Sequence, residues 1–488
     1  MNFNSDRVAL DPQPQRQQRV ALEVVILGHC PGGVDVEYLF SSPQMVAGIE
    51  GLGYAGSLEV LRQSPLPRQP FYGVPLPVRS LSQFQSLFPA VQRVGKERYI
   101  SRLAGDQVWL PSAVEDFFMD SSNAVNRKLL WVISVDETQG QQAFLPAERD
   151  DFLDLSNSSA FTRALAIPRV GLLIMPDLER LQIPSALADV PRLRLANPPP
   201  GFLPCGEKFD DTHRERRHSH EINRQPTPHD FGEILPKMLR TLSKWRPDIQ
   251  LLFALPFDLE QRAERPQPSA SALHAIAQMR NSTLAPHLYR VQLTYPYLRS
   301  ARRSLISSSA LLAGAMASTT AAQGSWRSVA GKALAGEYQP YPLLPQYDAA
   351  RLRDEAGIGT LVSHRSKLEL SDERLPGGVF GESAEYARSG EIARFIGWLR
   401  RELEGLGLQL LFEVDPLDPR PMMLLRDFFT RLHQRGALRG RLPEEAFAIR
   451  QSNDGESTLL FEIEIAPAFP IDRIRLVLAQ DRLEIARG

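Results

Sequence analysis

Apolar and polar positions alternate most clearly in the last part of the chain, after Asp415. A helix is predicted there by apolar residues at the i, i+3, i+4, i+7 spacing, which are Leu425, Phe428, Phe429 and Leu432. Gly436 suits the C′ position of this helix, and the Asn453-Asp454-Gly455 run suits a hairpin turn after a strand at Glu445–Gln451. Strand-like alternation then continues almost to the last residue, at Phe461, Ile463, Ile465, Ile474, Leu476, Leu478, Leu483 and Ile485.

The chain also begins with a strand pattern, behind a polar leader. Residues 1–19 offer little to bury and are expected to be unstructured, whereas Val20–Leu27 is a strand-like run. A strand at a chain end needs a sheet edge, which either the same molecule or a neighbouring molecule can supply. The pattern alone favours pairing within the molecule.

Helix and strand patterns follow one another between these ends. Strands are predicted at Leu129–Val135, Val170–Met175, Ile249–Leu255 and Leu408–Val414, and helices after capping boxes at Ser80 and Ser112 and at Phe231–Leu242, Ala272–Met279 and Glu391–Leu403. This succession predicts an α/β or α+β fold. The uncharged stretch from Ser304 to Trp326 mimics a membrane span, but its Ser, Thr, Gln and Gly content favours a buried helix rich in small residues.

Composition narrows the class of protein. The 488 residues are 43% hydrophobic and 23% charged, which is ordinary for a soluble globular protein of two or three domains. Lys and Arg number 56 against 57 Asp and Glu, so the net charge of −1 gives no overall attraction to nucleic acid or a membrane surface. The two cysteines, Cys30 and Cys205, exclude a disulfide framework, and Met1–Arg19 lacks the apolar core of a secretory signal.

The most enzyme-like feature is a charged loop that contains His213, His218, His220 and His229. His218 and His220, with a neighbouring histidine or carboxylate, could bind a metal ion and serve a cytoplasmic metal-dependent hydrolase that uses the His213–His229 loop. The arginines interleaved with these histidines oppose a cation, so a solvated surface loop is the favoured interpretation. Asp177, after a strand, is interpreted as a loop cap, and no phosphate-loop or G-x-S-x-G motif occurs. The sequence therefore predicts no catalytic residue, no metal site and no cofactor.

Five stretches, in this order, resemble the contractile tail-sheath proteins of phages and of phage-tail-like contractile injection systems. They are Pro77–Phe88, Leu110–Phe118 with the strand after it, Gly171–Leu178, Ser308–Gly314 with Gly324–Trp326 and Ala330–Gly331, and Phe428–Gln451. The resemblance covers the chain from about Val74 to Leu478. It departs from the family pattern at Ser318–Thr320, where an acidic residue is absent, and at Met119–Ser122, which replaces a Gly-Gly pair.

The resemblance implies a non-enzymatic subunit with an α/β (α+β) fold, discontinuous domains and mixed sheets flanked by helices. The implied division is an N-terminal arm at 1–35, an outer α/β domain at 36–295 with a surface insertion loop at 198–230, an inner tube-facing core domain at 296–470, and a C-terminal arm at 471–488. Both arms are expected to add strands to the sheets of neighbouring subunits, which reverses the pairing that the pattern alone favours. The arm strands are carried by Val20, Leu22, Val24, Ile26, Ile474, Leu476, Leu478, Leu483 and Ile485.

The implied function is a sheath of stacked hexameric rings around an inner tube, which contracts by rigid-body rearrangement and drives the tube through a target envelope. The implied partners are other copies of the chain, an inner tube protein, and baseplate and terminal cap proteins, with no nucleic acid and no direct membrane insertion. Candidate contacts with an acidic tube surface are Arg394, Arg400, Arg401, Arg426, Arg431 and Arg435. Assembly is expected in the bacterial cytoplasm. A phage, a released particle and a membrane-anchored particle stay open, as do a main sheath protein and a baseplate-proximal paralogue.

Overall fold

The computed structural model of the chain describes most of its length. The described residues are 22–30, 33–64, 66–89, 108–119, 128–183, 230–258, 267–300, 303, 305–364, 367–377, 389–410, 419–453, 459–468, 474–479 and 483–484. The His213–His229 loop and the positions Val20 and Ile485 lie outside these ranges. The structure therefore does not test the predictions made for them.

The strands in the described ranges form one large sheet and four small ones. They are β1 (Glu23–His29), β2 (Val34–Asp35), β3 (Arg68–Gln69), β4 (Leu76–Val78), β5 (Leu129–Val135), β6 (Val170–Ile174), β7 (Gln250–Ala254), β8 (Phe257–Asp258), β9 (Gln267–Pro268), β10 (Val291–Tyr295), β11 (Tyr297–Arg299), β12 (Gln339–Tyr341), β13 (Gly359–His364), β14 (Lys367–Leu370), β15 (Phe447–Asn453), β16 (Leu459–Ile465), β17 (Ile474–Ala479) and β18 (Leu483–Glu484). The large sheet has the order β14-β13-β10-β7-β6-β1-β5-β4. Its inner strands, from β13 to β5, are parallel, and β14 and β4 pair antiparallel at the two edges.

Helices cover both faces of the large sheet. The helices are α1 (Val36–Ser41), α2 (Pro43–Glu50), α3 (Ala55–Arg62), α4 (Leu81–Leu87), α5 (Leu110–Phe118), α6 (Ala160–Leu165), α7 (Pro176–Leu181), α8 (Phe231–Trp245), α9 (Ala270–Arg280), α10 (Ser309–Gln323), α11 (Gln346–Arg351), α12 (Gly390–Leu410), α13 (Arg420–Gln434) and α14 (Pro443–Ala446), with 3-10 turns at Glu137–Phe144 and Ala285–Arg290 and a π turn at Leu352–Ala356. One face of the sheet packs against α1–α5 and α10, and the other against α6–α9. This arrangement confirms the predicted α/β class, with a mixed sheet flanked by helices.

The central strand β1 shows how the two cores form and why the N-terminal arm prediction fails. Its Val25 and Leu27 belong to one apolar core, whereas Val24 and Ile26 belong to the other, together with Leu22. β1 is hydrogen-bonded to β5 on one side and to β6 on the other, within the same chain. Donating this strand to a neighbour without receiving one in return would remove its four fully buried side chains from the cores, which costs about 6–12 kcal/mol. The prediction that Leu22, Val24 and Ile26 form an inter-subunit arm is therefore wrong.

The large sheet also crosses the predicted domain boundary at residue 295. β13 and β14 come after that residue in the chain, yet they extend the sheet beside β10. α10 likewise packs its Leu312 into the core beneath α5. We call the large sheet with α1–α11 the sheet body. The predicted division into 36–295 and 296–470 is corrected accordingly, because strands on both sides of this boundary share one sheet. Of the predicted arm at 1–35, β1 belongs to the sheet body, whereas residues 1–21 lie outside the described residues, so the prediction for them stays a prediction.

A second body, with its own apolar core, follows the sheet body. It consists of α12–α14 and β15–β18, and we call it the C-terminal body. Its core includes Phe395, Phe429 and Ile463, with Trp326 packed edge-on against Phe395. The predicted helix at Glu391–Leu403 lies within α12. The strand predicted at Leu408–Val414 is wrong at its start, because α12 continues to Leu410.

The uncharged stretch that mimics a membrane span forms α10, as the buried-helix interpretation predicted. Ala310, Leu312 and Ala313 are fully buried in this helix. Gly314 lets α10 approach α5 closely, because a Cβ there would lie closer than 3.0 Å to the carbonyl oxygen of Phe117. Across the described ranges, no helix combines the length and the apolar character that crossing a membrane requires.

Candidate interaction surfaces

The last four strands form an antiparallel sheet in the order β15-β16-β17-β18. Of the predicted arm positions, Ile474, Leu476 and Leu478 lie in β17, and Leu483 lies in β18. β17 pairs with β16 on one side and with β18 on the other, all in the same chain. In the single chain the structure thus has the within-chain pairing that the sequence pattern alone favoured, and pairing of these strands with a neighbour stays a prediction. At the other edge of this sheet, β15 pairs only with β16 among the described strands.

Helix α13 has one buried apolar face and one exposed face. Leu425, Phe429 and Leu432 are buried as the spacing predicted, and Phe428 is half-buried with its ring stacked on Trp398 at 6.1 Å. The rest of the α13 surface carries exposed arginines together with two exposed apolar side chains, and Arg426 and Arg435 lie on opposite flanks of it. We call this exposed set the α13 face, and it comprises Met423, Leu424, Arg426, Arg431 and Arg435.

The turn that ends α13 follows the predicted chemistry. Gly436 has a φ of +73°, which an L side chain rarely adopts. The N–H of Gly436 donates to the carbonyl of His433 at 2.9 Å, and the N–H of Ala437 donates to that of Leu432 at 3.1 Å. These bonds form a Schellman-type cap that satisfies carbonyls at the helix end. The cap confirms the prediction for Gly436 and holds Arg435 in place at the end of the exposed face.

Three of the six candidate arginines lie on the α13 face. Arg426, Arg431 and Arg435 are all exposed. Arg431 is ion-paired with Asp427 at 2.8 Å, and both side chains are 61% exposed. An exposed pair of this kind stabilises by less than about 1 kcal/mol, so it is easily exchanged for a contact with another molecule. The α13 face can therefore bind an acidic surface that also offers apolar contact.

The other three candidates, all on α12, are placed differently. Arg394 is 4% exposed and is ion-paired with Glu373 at 2.5 Å. Arg401 donates to the carboxylate of Asp248 at 3.0 Å and to its carbonyl oxygen at 2.9 Å. The prediction that Arg394 and Arg401 contact a tube is wrong, because their guanidinium groups lie inside the molecule, between the two bodies. Arg400 is partly exposed and pairs at 3.0 Å with a glutamate one turn later on α12.

The buried carboxylates that receive Arg394 and Arg401 are ionised. Burial acts to raise the pKa of Asp248, but the hydrogen bonds and charge of Arg246, and then those of Arg401, hold the pKa at about 2. Burial also acts to raise the pKa of Glu373, and the charge and hydrogen bond of Arg394 outweigh it, so that the pKa lies below its usual value. Neither carboxylate stands out in the sequence. The only available signal was an acidic residue just ahead of a buried strand, as Asp248 is ahead of β7.

Asp177 has the capping role that the sequence indicated. Its carboxylate accepts the backbone N–H groups of His29 at 2.9 Å, Trp109 at 2.7 Å and Leu110 at 3.0 Å. It thereby joins the end of β1 to the start of α5. The strand order of the large sheet reverses at β1, and α/β proteins commonly bind ligands at the carboxyl ends of strands at such a point. In this chain the Asp177 side chain fills that position.

Two depressions lie on the sheet body. A groove of about 550 Å³ between α8 and α9 is lined by residues that include Pro236, Lys237, Arg240 and Met279. A depression of about 230 Å³ between α5 and α10 lies beside Asp116. In the part of the chain that the structure describes, no group of three or more His, Cys, Asp or Glu side chains is placed to bind a metal ion. The surfaces with a clear chemical pattern are therefore the C-terminal sheet and the α13 face.

Comparison with known proteins finds relatives by fold. No protein-family model matches the chain, and no curated protein matches it. A chain from the baseplate of the anti-feeding prophage (AFP) in its contracted state matches with a TM-score of 0.55 and 17% identity, over 96% of this chain and 96% of that chain. A chain from the six-fold symmetrised AFP baseplate matches with a TM-score of 0.51 and 13% identity, over 97% of both chains. A chain from the contracted AFP helical sheath has a TM-score of 0.49 and 13% identity, over 96% of this chain and 98% of that chain.

Proposed function

We propose that this chain, which has the fold of chains in the AFP baseplate, is a structural subunit of a contractile sheath. It polymerises as stacked hexameric rings around an inner tube, and it contracts by rigid-body rearrangement to drive the tube through a target envelope. The observation that carries the proposal is the likeness of fold over nearly the whole of both chains. The ordered sequence stretches that resemble contractile tail-sheath proteins support it separately. The role is structural, without a catalytic residue or cofactor, and no observation favours a metal-dependent hydrolase.

The C-terminal sheet is the proposed link between neighbouring subunits. β17 occupies an edge of β16 that the same strand of another copy can fill with the same antiparallel hydrogen bonds. Exchanging residues 471–488 between copies is therefore a low-cost step, since each hydrogen bond lost within a chain is regained with a neighbour. A strand shared in this way ties two subunits together while their bodies rotate.

The α13 face is the proposed contact with the inner tube. Its arginines fit an acidic tube surface, and complementary charge favours the correct register and speeds association. Arg400, which is partly exposed, stays a further candidate. The proposed partners at the ends of the polymer are baseplate and terminal cap proteins. Assembly is proposed to occur in the bacterial cytoplasm.

A second candidate is a paralogue restricted to the ring nearest the baseplate. This candidate is favoured because the two chains with the most similar folds reported above both come from AFP baseplate structures. The two roles require the same fold and differ in copy number. Quantitative mass spectrometry of purified particles decides between them, because a main sheath protein is as abundant as the tube protein and a baseplate paralogue occupies a single ring.

Electron microscopy of the expressed chain tests the proposed function. Negative-stain images of the full chain, expressed alone and together with the inner tube protein of the same particle, are expected to show rings or cylinders. Six-fold averages of end views are the expected detail. Discrete monomers in every condition, with and without the tube protein, would overturn the proposal.

Charge reversal tests the assignment of the α13 face. Arg431→Glu with Arg435→Glu is expected to abolish co-purification with the tube protein, because two attractive contacts on the same side of the helix become repulsive. Arg62→Glu, an exposed arginine on α3 of the sheet body, is the matched control and is expected to leave co-purification intact. Equal tube binding by both variants would remove the α13 face from the proposal.

A further inference from the structure

Helix α12 lies across the amino ends of four adjacent strands of the sheet body. Gly390 lies against a side chain of β10, and Gly397 lies against Asp248, two residues ahead of β7. Glu402 pairs at 3.3 Å with Arg169 ahead of β6, and Arg169 also pairs at 3.3 Å with Glu23 of β1. The order of these contacts along α12 is the order of the strands in the sheet. From Gly390 to Glu402 a helix extends about 18 Å, and three strand spacings measure about 14 Å. The helix therefore matches this edge of the sheet in both length and order.

Two glycines allow α12 to contact the sheet body at backbone distance. A Cβ on Gly397 would lie closer than 3.0 Å to the carbonyl oxygen of Asp248. A Cβ on Gly390 would lie 2.6 Å from the side-chain oxygen of Gln292 and 3.2 Å from the carbonyl oxygen of Glu373. A larger residue at position 397 must push the helix away from the sheet because it meets backbone, whereas at position 390 it must first displace the Gln292 side chain.

Two arginines on the same side of α12 complete the contact. Arg394 and Arg401 follow Gly390 and Gly397 by four residues each, so all four residues share one helix face. Arg394 is ion-paired with the Glu373 carboxylate and also donates to the side-chain oxygen of Gln292 at 3.2 Å. Arg401 donates to the carboxylate and to the carbonyl oxygen of Asp248. On α12, a glycine followed one turn later by an arginine thus occurs twice. At each occurrence, a close contact between the glycine and the sheet body lies next to a buried ion pair of the arginine.

The opposite side of α12 belongs to the C-terminal body. Its apolar side chains are part of that body's core, and they are Ile392, Phe395, Ile396, Leu399 and Leu403. One helix therefore joins the C-terminal body by apolar packing and the sheet body by close backbone contact and ion pairs. Buried ion pairs add little net stability because desolvation offsets their attraction, and their best-attested role is to fix one register.

We propose that the face formed by Gly390, Arg394, Gly397 and Arg401 is a joint that fixes the C-terminal body in one register on the sheet body. Arg394 and Arg401 act in it as positioning residues, since they hold α12, and through it α13, in place. The joint belongs to the single chain, so the proposal stands whether or not the chain forms a sheath. In a sheath, the joint makes the two bodies of a subunit move as one.

Two glycine-to-alanine substitutions on α12 test the joint, because they are expected to change the rate of amide hydrogen exchange in the C-terminal body differently. Gly397→Ala is expected to speed amide hydrogen exchange in α13 and β16 by about tenfold or more, while β6 and β7 keep their rates, because the new Cβ collides with the sheet body. Gly405→Ala, on the same helix with nothing within 4 Å of the added Cβ, is the control. It is expected to leave exchange unchanged or slower, since Ala is the better helix former. If Gly397→Ala also leaves exchange in α13 unchanged or slower, there is no joint at this face.

Neighbouring arginines on α12 supply an independent test. Arg401→Gln is expected to speed exchange selectively in the C-terminal body, while Asp248 keeps its ion pair with Arg246 at 2.8 Å and the sheet body stays protected. Arg400→Gln removes the same charge one residue earlier, from a side chain paired within its own helix, and is expected to leave both bodies unchanged. Arg401→Lys keeps the charge and is expected to fall between wild type and Arg401→Gln. Equal effects of Arg401→Gln and Arg400→Gln, or uniform loss of protection across both bodies, would contradict the joint.

Discussion

Asp177 and Glu179 are two residues apart at the start of α7 and are both fully buried, but they make different contacts. Asp177 accepts three backbone N–H groups and joins β1 to α5. Glu179 accepts the N–H of Ala254 at 2.8 Å and the hydroxyl of Ser309 at 3.1 Å, and so joins α7 to β7 and α10. Burial is the main cause that raises the pKa of Glu179 to about 8. This carboxyl is therefore protonated in the folded chain at neutral pH, as a hydrogen-bonding group in the core.

The titration of Glu179 predicts how the stability of the sheet body depends on pH. The pKa of Glu179 in the folded chain is raised above the usual 4.5. The contribution of this carboxyl to the free energy of unfolding is therefore fully present below about pH 4.5 and is lost as the pH rises to about 8. Glu179→Gln is expected to remove this decline, which is on the order of 4 kcal/mol in the free energy of unfolding. Urea denaturation at several values between pH 5 and 8 measures it. Glu59→Gln, at an exposed position on α3, should keep the wild-type slope, and a wild-type slope in Glu179→Gln would refute the role of this side chain.

The two long helices of the C-terminal body show what local pattern can and cannot establish about an element. α13 contains the predicted apolar spacing and ends where Gly436 indicated, because both signals depend on residues close together in the chain. α12 instead continues through a stretch whose alternation resembles a strand, from Leu408 to Leu410. Gly405 and Gly407 leave open space around this part of the helix, and its propensity is weak. The packing of Leu403 in the C-terminal core therefore outweighs the local preference.

The cap of α13 predicts the effect of a substitution at the end of that element. Gly436→Ala is expected to lower the free energy of unfolding by about 1–2 kcal/mol, because the residue must keep its positive φ while nothing lies within 4 Å of the added Cβ. Guanidinium denaturation followed by circular dichroism measures the change. Gly56→Ala on α3, which also has open space around it, should be neutral or stabilising. A Gly436→Ala protein as stable as wild type would show that the cap can form without a glycine.

For the whole molecule, the main distinction is between strands that the fold needs and strands that it can exchange. β1 is the centre of the sheet body and contributes to both of its cores. β17 and β18 come last in the chain and complete a small sheet at one edge of the C-terminal body. Removing β1 would unfold the sheet body, whereas removing the last two strands exposes one edge of β16. Of these described strands, we therefore propose β17 and β18, and not β1, as the ones shared between copies.

Truncation at the C-terminus tests this distinction. A chain that ends at residue 470 is expected to remain folded, with the circular dichroism spectrum and thermal unfolding of the sheet body close to wild type, but to form no cylinders. The physical reason is that the edge of β16 has lost both its own strand and any strand a neighbour could provide. Negative-stain microscopy and size-exclusion chromatography measure the outcome. Cylinders of normal length from the truncated chain would rule out strand exchange at this sheet.

Much of the local structure was readable from sequence because it depends on residues close together in the chain. The strand at Leu129–Val135 has the predicted bounds, and Ser80 caps α4 by accepting the N–H of Gln83 at 3.1 Å. The exposed arginines of α13 were also identified, since a helix that covers a core on one side leaves its other side free. In each case, periodicity or turn chemistry carried the information.

The partners of these elements depended on tertiary structure. The apolar run of β1 fits a central strand as well as an arm, and only its pairing with β5 and β6 decides between them. Arg400 and Arg401 are neighbours on α12, yet one pairs within its own helix and the other with Asp248, far away in sequence. The sequence by itself determined which faces were apolar and which were charged. Which surface each face meets was decided by contacts between distant residues, which no local pattern encodes.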